Sequence, residues 1–169
     1  TFSSCAVLPE LLITAPQTLV TTMYQMCQNC VELATLTFPA TMDNALTAYA
    51  FAYNCKSLVN LTMPTSMNKC TTIAQGFQFC NSIVTITFPA SMNLLANMGS
   101  ACSNNPNLTI VNLPASLPAI TDVTSLCTAS PKVTSISLCT WPSTQVMASS
   151  ILDTCNYMTS FSQPTLRVT

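Results

Sequence analysis

The sequence predicts a repeat solenoid, a right-handed coil with one short parallel β-strand in each repeat of about 25 residues. Three observations predict this fold. A proline, or once a cysteine, recurs at one phase, with five equal intervals after a slightly shorter first one: Pro16, Pro39, Pro64, Pro89, Pro114, Cys139 and Pro164. Apolar and polar residues alternate ahead of each of these positions, and cysteines recur at a second phase. A fixed period of this length is typical of stacked coils, each of which buries its apolar side on its neighbours.

The chain is predicted to form a single solenoid domain over residues 1–169. Its repeats run approximately over residues 1–29, 30–54, 55–79, 80–104, 105–129 and 130–154, with a partial repeat at 155–169. The first repeat is the least regular. We expect it to be an edge repeat, because terminal repeats are usually atypical.

The half of each repeat ahead of the proline predicts a β-strand. Before Pro39 the apolar residues are Leu33, Leu36 and Phe38, and the other copies repeat this alternation. A period of two indicates a half-buried strand. The proline then ends the strand, because it has no amide proton for the ladder. The other half is richer in Ala, Met and Leu, most clearly in residues 43–53, and predicts one or two turns of α or 3₁₀ helix or, alternatively, an extended run.

The composition excludes some partners. Charged residues make up only 5% of the chain, against roughly 25% in ordinary soluble domains, and none lies between Lys69 and Asp122. The net charge of −1 provides no basic surface for phosphates, so nucleic acid is an unsuitable partner. Prolines and asparagines interrupt every apolar run, so no membrane span is predicted. A surface with so little charge favours association between copies.

The cysteines fall into two columns of the predicted stack. The first column, the Cys slot, holds Cys30, Cys55, Cys80, Asn105, Ser130 and Cys155, and the second holds Cys27, Cys102 and Cys127. We interpret both as buried structural thiols, and the Asn and Ser in the slot indicate a position that can use a weak hydrogen-bond donor. Disulfides are the alternative, although side chains that point the same way are poorly placed for them. Cys5, Cys70 and Cys139 are predicted to lie off both columns and are better candidates for cross-links.

The sequence offers few residues for catalysis. Cys27 and Cys30 form a lone C-x-x-C, which we interpret as a coincidence of the two columns, because the chain has no histidine and no second pair to complete a zinc site. The five acidic residues are scattered over four repeats, and two glycines cannot form a phosphate loop. Tyr49 and Tyr53 are assigned to the core by default. The sequence therefore predicts a protein that is not an enzyme and has no metal or cofactor.

The repeat also carries a family resemblance. The pattern Cys-x-x-Leu-x-x-Leu-x-Φ-Pro, closed by an aromatic-x-x-Cys such as Phe77 to Cys80, resembles the BspA-like, or Treponema-type, leucine-rich repeat over about residues 30–139. The resemblance implies a leucine-rich-repeat-like coil. It also implies a cell-surface or secreted protein that takes part in adhesion to host matrix or other cells and has no catalytic residues. The length of the repeat, the scarce glycine and the low charge depart from the family pattern.

The outward strand positions are predicted to form two rows of polar side chains. They are Thr35, Thr37, Asn60, Thr62, Thr85, Thr87, Asn112, Ser135, Ser137, Ser160 and Ser162. Threonine is common in strands, which explains the rows without any function. One functional interpretation is a recognition face for glycan or protein. Another is an ice-binding array, although the interruption of the rows at Ile110 and Asn112 argues against it. Asn60 and Asn107 also begin glycosylation sequons, which chance explains equally well in so polar a chain.

Two functions follow as hypotheses. In the first, the protein is an extracellular structural protein that stacks head-to-tail on copies of itself through uncapped solenoid ends, because open ends expose strand edges and apolar side chains. The end residues are Val7, Leu8, Leu11, Ile13, Met158, Phe161, Leu166 and Val168. In the second, the polar strand face is an adhesion module for a surface protein or glycan.

Overall fold

A computed structural model shows a parallel β-solenoid of about five turns, with no helix among the residues it describes. These residues are 1–15, 17–137, 140 and 160–161, of which 160–161 are described as backbone only. The strands are β1 (Glu10–Leu12), β2 (Thr35–Thr37), β3 (Asn60–Thr62), β4 (Thr85–Thr87), β5 (Ile110–Asn112), β6 (Ser135–Ser137) and β7 (Ser160–Phe161). The predicted solenoid with one short parallel strand per repeat is confirmed.

Successive strands pair in a register of one full repeat within two sheets, β1–β2–β3 and β4–β5–β6–β7. Glu10 pairs with Thr35, and Thr35 pairs with Asn60, as do the corresponding residues of later paired strands. The position equivalent to Pro39 in the first coil is therefore Thr14, which the same register places one repeat earlier. The shorter first interval was a wrong alignment, which arose because Pro16 lies near this position without occupying it. Pro16, Cys139 and Pro164 lie outside the described residues.

The alternation of burial along each strand follows the sequence pattern. Leu36, Ile86 and Val111 at the strand centres are buried, while the residues on either side of each are exposed or half-buried. Beneath the strands the core is filled by apolar side chains, including a run of edge-to-face phenylalanine contacts from Phe51 through Phe77 to Phe88. The apolar columns therefore form one continuous core through the coils.

Two further lines of β-bridges run parallel to the strands, and neither contains a helix. The near bridge line consists of the pairs Thr41–Ser66, Ser66–Ser91 and Ser116–Thr140, and the far bridge line joins Thr22, Thr47, Thr72, Asn97 and Asp122. Residues 43–53 form turns and a β-bridge residue, Thr47, and contain no helix, so the helical alternative was wrong. The reason is that the amides of Ala48, Ala50 and Ala52 donate to carbonyls of the next coil at 2.9–3.0 Å instead of to their own segment.

A tight turn follows the far bridge line in every described coil. The side-chain oxygen of the line residue accepts a hydrogen bond from the amide two residues later, as from Tyr49 to Thr47 and from Thr124 to Asp122. Such turns are the usual role of Thr, Asn and Asp in loops. Each turn then places two residues in the left-handed region without glycine, for example Gln25 at φ 49°. The turn is therefore encoded by polar side chains.

The tyrosines do not lie in the core as expected. Tyr49 and Tyr53 are half-buried on the turn side of the coil. Tyr49 stacks on Tyr24, with ring centroids 5.4 Å apart, and its hydroxyl donates to Oε1 of Gln75 at 2.8 Å. The default assignment was wrong because a tyrosine hydroxyl needs a polar partner, which the turn side supplies.

Candidate recognition face

The outward residues of β2 to β6 form a polar surface, which we name the strand face. It consists of Thr35, Thr37, Asn60, Thr62, Thr85, Thr87, Asn112, Ser135 and Ser137, all of which are exposed or half-buried. Paired parallel strands are about 4.8 Å apart, so hydrogen-bonding groups recur at that step along each row within β2–β3 and within β4–β6. Ser160 lies in β7, where only the backbone is described, and Ser162 lies outside the described residues.

Several hydroxyls of the strand face have no partner within the described part of the protein. The amide of Asn60 donates to Oγ1 of Thr35 at 3.4 Å, and that of Asn112 donates to Oγ1 of Thr87 at 3.0 Å. The hydroxyl of Ser137 accepts from a backbone amide of the preceding coil at 2.9 Å. Among the described contacts, no side-chain hydrogen bond involves these four residues: Thr37, Thr62, Thr85 and Ser135. Their hydroxyls can donate to or accept from a ligand without breaking an internal bond.

Threonines beside the two bridge lines behave differently. The hydroxyls of Thr65, Thr71 and Thr121 each donate to a backbone carbonyl of the preceding coil, at 2.8, 3.0 and 3.0 Å. These bonds join one coil to the next and leave less capacity for a ligand. Sequence composition could not separate the two groups of threonines, although their positions within the repeat could have.

The outward residues of two strands, β1 and β5, differ from the polar residues of the strand face. In β1 the outward positions are Glu10 and Leu12, and the Leu12 side chain is exposed. In β5 the exposed Ile110 replaces a polar residue. Between β2 and β6 the face contains no charged side chain. It is therefore suited to hydrogen bonding with neutral groups.

The Cys slot is a column of buried hydrogen-bond donors. The thiols of Cys55 and Cys80 donate to backbone carbonyls of the preceding coil at 3.1 and 3.2 Å, and Cys30 does the same at 2.9 Å. Ser130 donates at 2.9 Å, and the amide of Asn105 donates at 3.0 and 2.9 Å. The position thus requires a donor, which Cys, Ser and Asn can each supply.

Burial makes the slot thiols poor nucleophiles. Desolvation raises the pKa of the Cys80 thiol to about 12, and it raises the pKa of Cys70 to about 11. Burial, followed by neighbouring cysteines, also raises the pKa of Cys27 and Cys55, and burial raises that of Cys30. A reactive cysteine needs a lowered pKa. The C-x-x-C of Cys27 and Cys30 is therefore a structural pair, and no group that could hold a metal ion occurs among the described residues.

The placement of the remaining cysteines requires one correction. Cys5 lies one repeat before Cys30, and its amide donates to Phe2 as that of Cys30 does to Cys27, so Cys5 belongs to the Cys slot. Counting back from the mispositioned Pro16 concealed this. Cys70 is buried and is a free thiol that donates to the carbonyl of Thr72 at 3.3 Å. The second-column cysteines are all buried: Cys27, Cys102 and Cys127. Cys139 and Cys155 lie outside the described residues.

The two sequon asparagines are both exposed but differ in their contacts. Asn107 donates to the carbonyl of Asn81 at 2.9 Å, and its Oδ1 accepts from Lys132 at 2.7 Å. The side chain of Asn60 makes only the 3.4 Å bond to Thr35 among the described contacts. A glycan on Asn107 would be attached to the nitrogen that donates to Asn81, whereas one on Asn60 would cover the strand face.

The residues predicted to form the solenoid ends are described only in the first coil. Val7 is 88% exposed, whereas Leu8, Leu11 and Ile13 are half-buried and pack against the core. Phe161 lies in β7, where only the backbone is described. Met158, Leu166 and Val168 lie outside the described residues.

Comparisons with known proteins agree with the repeat. The family model for the BspA type leucine-rich repeat region matches residues 1–104 and 44–166, with six copies. No curated protein and no solved structure matches the chain. Within the described part of the chain, no helix has the length and apolar character needed to cross a membrane. BspA-type repeat proteins are often surface-associated, are linked to adhesion and are typically non-enzymatic. Because the matched segments span nearly the whole sequence, the chain belongs to the BspA-type leucine-rich repeat family.

Proposed function

We propose that this protein is a non-enzymatic recognition module of the cell surface or extracellular space, which binds neutral glycans through its strand face. The observation that carries the proposal is the set of outward hydroxyls that make no hydrogen bond among the described contacts, on Thr37, Thr62, Thr85 and Ser135. These groups belong to the run of strands from β2 to β6, which contains no charged outward side chain. The family's association with adhesion supports the same proposal.

Neutral glycans suit this surface better than charged ligands. Each sugar ring presents hydroxyls that both donate and accept, and threonine and serine hydroxyls do the same. A single neutral hydrogen bond contributes only about 0.5–1.5 kcal/mol, so useful affinity requires several strands acting together. An extended polysaccharide could contact successive strands, whose spacing is about 4.8 Å within a ladder.

The test is a neutral glycan array probed with the full chain, followed by titration of any retained glycan. The double variant Thr37→Val with Thr62→Val removes two free hydroxyls with little change of shape and should weaken binding about tenfold or more. The matched control is Thr71→Val with Thr121→Val, whose hydroxyls bond to the backbone of their own chain. It should leave glycan affinity unchanged. The proposal fails if no neutral glycan is retained, or if both double variants bind as the unchanged chain does.

A second candidate function is self-assembly into a filament. It is favoured by the apolar side chains that the first coil exposes, above all Val7 at 88% and Leu19 at 91%. β1 also hydrogen-bonds only to β2 among the described strands, so its other edge can pair with a further strand. A coil of another copy stacked on that edge would cover these side chains, and such a head-to-tail contact does not close on itself.

Negative-stain electron microscopy of the full chain tests this second candidate. Thin fibres should form, and Val7→Asp combined with Leu19→Asp should abolish them, because both side chains are exposed and their replacement leaves the core intact. Leu46→Asp is the control, since Leu46 is an exposed leucine in an interior coil and should not alter fibres. Dispersed particles at every concentration would rule out the filament, whereas glycan binding would remain to be judged by its own experiment.

A further inference from the structure

The β-ladder of the strand face is interrupted once among the described strands. They form two separate sheets, β1–β2–β3 and β4–β5–β6–β7. The Cα atoms of β3 and β4 lie mostly more than 8 Å apart, whereas hydrogen-bonded neighbours are about 4.8 Å apart. The two bridge lines continue across the same step, where Ser66 pairs with Ser91 and Thr72 with Asn97. The coils are therefore joined on their other sides and open only at the strands.

The opening leaves backbone groups of both strands without partners. Within the described coils, no backbone hydrogen bond joins residues 59–63 to residues 84–88, although Ser82 and Ser91 still donate to the preceding coil on either side. One coil further on, the ladder is closed, because Ile110 donates to Val84 at 3.3 Å and Phe88 donates to Asn112 at 2.9 Å.

The unpaired groups can be named from the ladder pattern. In β3, Asn60 donates to Ala34, and the carbonyl of Thr62 accepts from Phe38, so both residues point to β2. In a parallel ladder alternate residues bond to opposite neighbours, so Leu61 of β3 and the residues two positions away on either side, together with Thr85 and Thr87 of β4, point their backbone groups into the opening. The groups without a ladder partner are the N–H of Leu61, Met63, Thr85 and Thr87 and the C=O of Val59, Leu61, Thr85 and Thr87. Unpaired backbone groups of this kind require a hydrogen-bonding partner.

The side chains around the opening define its chemistry. Leu61 at the centre of β3 is half-buried, whereas the equivalent Leu36 and Ile86 are fully buried. Val59 and Val84, which precede the two strands, are 54% and 48% exposed. The sequence has no charged residue from 57 to 68 or from 70 to 121. The opening is thus neutral, with an apolar centre.

The packing below the strands is aromatic at this step. Phe77 occupies a column that also holds Phe2, Cys27, Ala52, Cys102 and Cys127, and it is the largest side chain of the column after the first coil. Its ring lies 4.8 Å from that of Phe51 and 5.9 Å from that of the phenylalanine that follows β4. Three phenylalanine rings therefore pack in the core around the step at which the ladder is open.

We propose that the opening between β3 and β4 is a binding site for one extended, uncharged peptide segment of a partner protein, which completes the ladder as an inserted strand. A strand placed between two others requires edges about 9.6 Å apart, twice the usual spacing, and most Cα pairs of β3 and β4 are more than 8 Å apart. The segment would alternate polar, apolar and polar residues, with its apolar side chain beside Leu61 and Ile86. Addition of a strand to an unpaired edge is a common mode of peptide recognition. The site is independent of the glycan proposal, because it uses backbone groups between strands and not hydroxyls.

Amide hydrogen exchange followed by NMR on the full chain tests the site. In the free protein the amides of Leu61, Met63, Thr85 and Thr87 should exchange at least about tenfold faster than those of closed ladder positions such as Leu36. A capped, uncharged peptide of alternating threonine and valine should slow all four. The same peptide N-methylated on alternate residues should not, because it lacks the donors. Slow exchange of the four amides without peptide, or equal effects of the two peptides, would overturn the proposal.

A matched pair of proline variants locates the site in the chain. Thr87→Pro removes an N–H that faces the opening and should weaken peptide binding about tenfold while the protein stays folded. Asn112→Pro removes an N–H on the closed side between β4 and β5 and should destabilise the fold more. If Thr87→Pro fails to fold, the N-methylated peptide on the unchanged chain still decides. Unaltered binding to a folded Thr87→Pro protein would contradict the proposal.

Discussion

The turn side and the strand face of this solenoid use the same residue types for different purposes. On the turn side, the hydroxyl of Thr47 accepts from a backbone amide, and that of Thr71 donates to a carbonyl of the preceding coil. On the strand face, Thr37 and Thr62 have no internal side-chain hydrogen bond among the described contacts. The comparison shows that position within the coil, and not residue type, separates threonines that stabilise the fold from threonines available to a ligand.

Neutral hydrogen bonds matter in this protein because few charged residues are available to hold the coils together. With charged residues at 5% of the sequence and lysines that bond to asparagines, such as Lys69 to Asn44 at 2.7 Å, the coils are held by neutral bonds and apolar packing. The buried donors of the Cys slot also hold one coil to the next. Substitutions on the turn side or at the buried donors should therefore destabilise the fold more than the same substitutions on the strand face.

Raising the pH above about 9 should destabilise the fold, because several buried thiols share one direction of pKa shift. Burial raises the pKa of Cys80 to about 12 and of Cys70 to about 11, above the ordinary value of 9.0. The unfolded chain then loses protons that the folded chain keeps, so stability is complete below the unfolded pKa and falls as pH rises past it. Urea unfolding at about pH 8 and about pH 10.5 measures the loss. Cys80→Ser, which copies Ser130 in the same slot, should reduce the pH dependence; equal midpoints at both pH values would contradict the prediction.

Gly76→Ala should destabilise the protein by about 1–3 kcal/mol through overpacking on the turn side. A Cβ at this position would lie 2.9 Å from the backbone oxygen of Ile73 and 3.2 Å from Cε1 of Phe51, neither of which can move easily. The matched control is Gly99→Ala, whose Cβ would meet the carboxylate of Asp122 at 3.1 Å, the end of a flexible side chain. Urea unfolding of both variants checks the prediction. Similar midpoints for the two variants would show that packing at Gly76 is looser than the distances indicate.

These differences also show how far the sequence could be interpreted. The repeat period predicted the strands and their buried residues correctly, because Leu36 and its equivalents recur once per repeat and pair with one another in the sheet. It did not predict the turns, since the recurring acceptors such as Thr47 and Asp122 are polar residues of three types, and a column emerges only after the register is known. The opening beside β4 was also not predicted, because Asn60, Leu61 and Thr62 follow the same polar–apolar pattern as the strands of the closed ladders.

Thr47→Val and Thr37→Val make the same chemical change on two half-buried threonines of opposite sides. Thr47→Val removes the acceptor for the amide of Tyr49 and should cost about 0.5–1.5 kcal/mol. Thr37→Val removes a hydroxyl without an internal partner and should change stability by less than about 0.5 kcal/mol. Urea unfolding of the two variants side by side is the measurement. An equal loss from both would remove the distinction between the two sides.

The smallest expected effect is a gain. Ala129 adopts φ 56°, a left-handed conformation that costs a residue with a Cβ, whereas the same column holds asparagine at Asn29, Asn54 and Asn104. Asparagine tolerates this conformation, so Ala129→Asn should stabilise the fold by about 0.5 kcal/mol. The control Ala115→Asn, at an exposed alanine outside the left-handed positions, should give no gain. Thermal unfolding of both variants decides, and a loss at Ala129→Asn would mean that the turn is held by contacts of the coil and not by the preferences of its own residues.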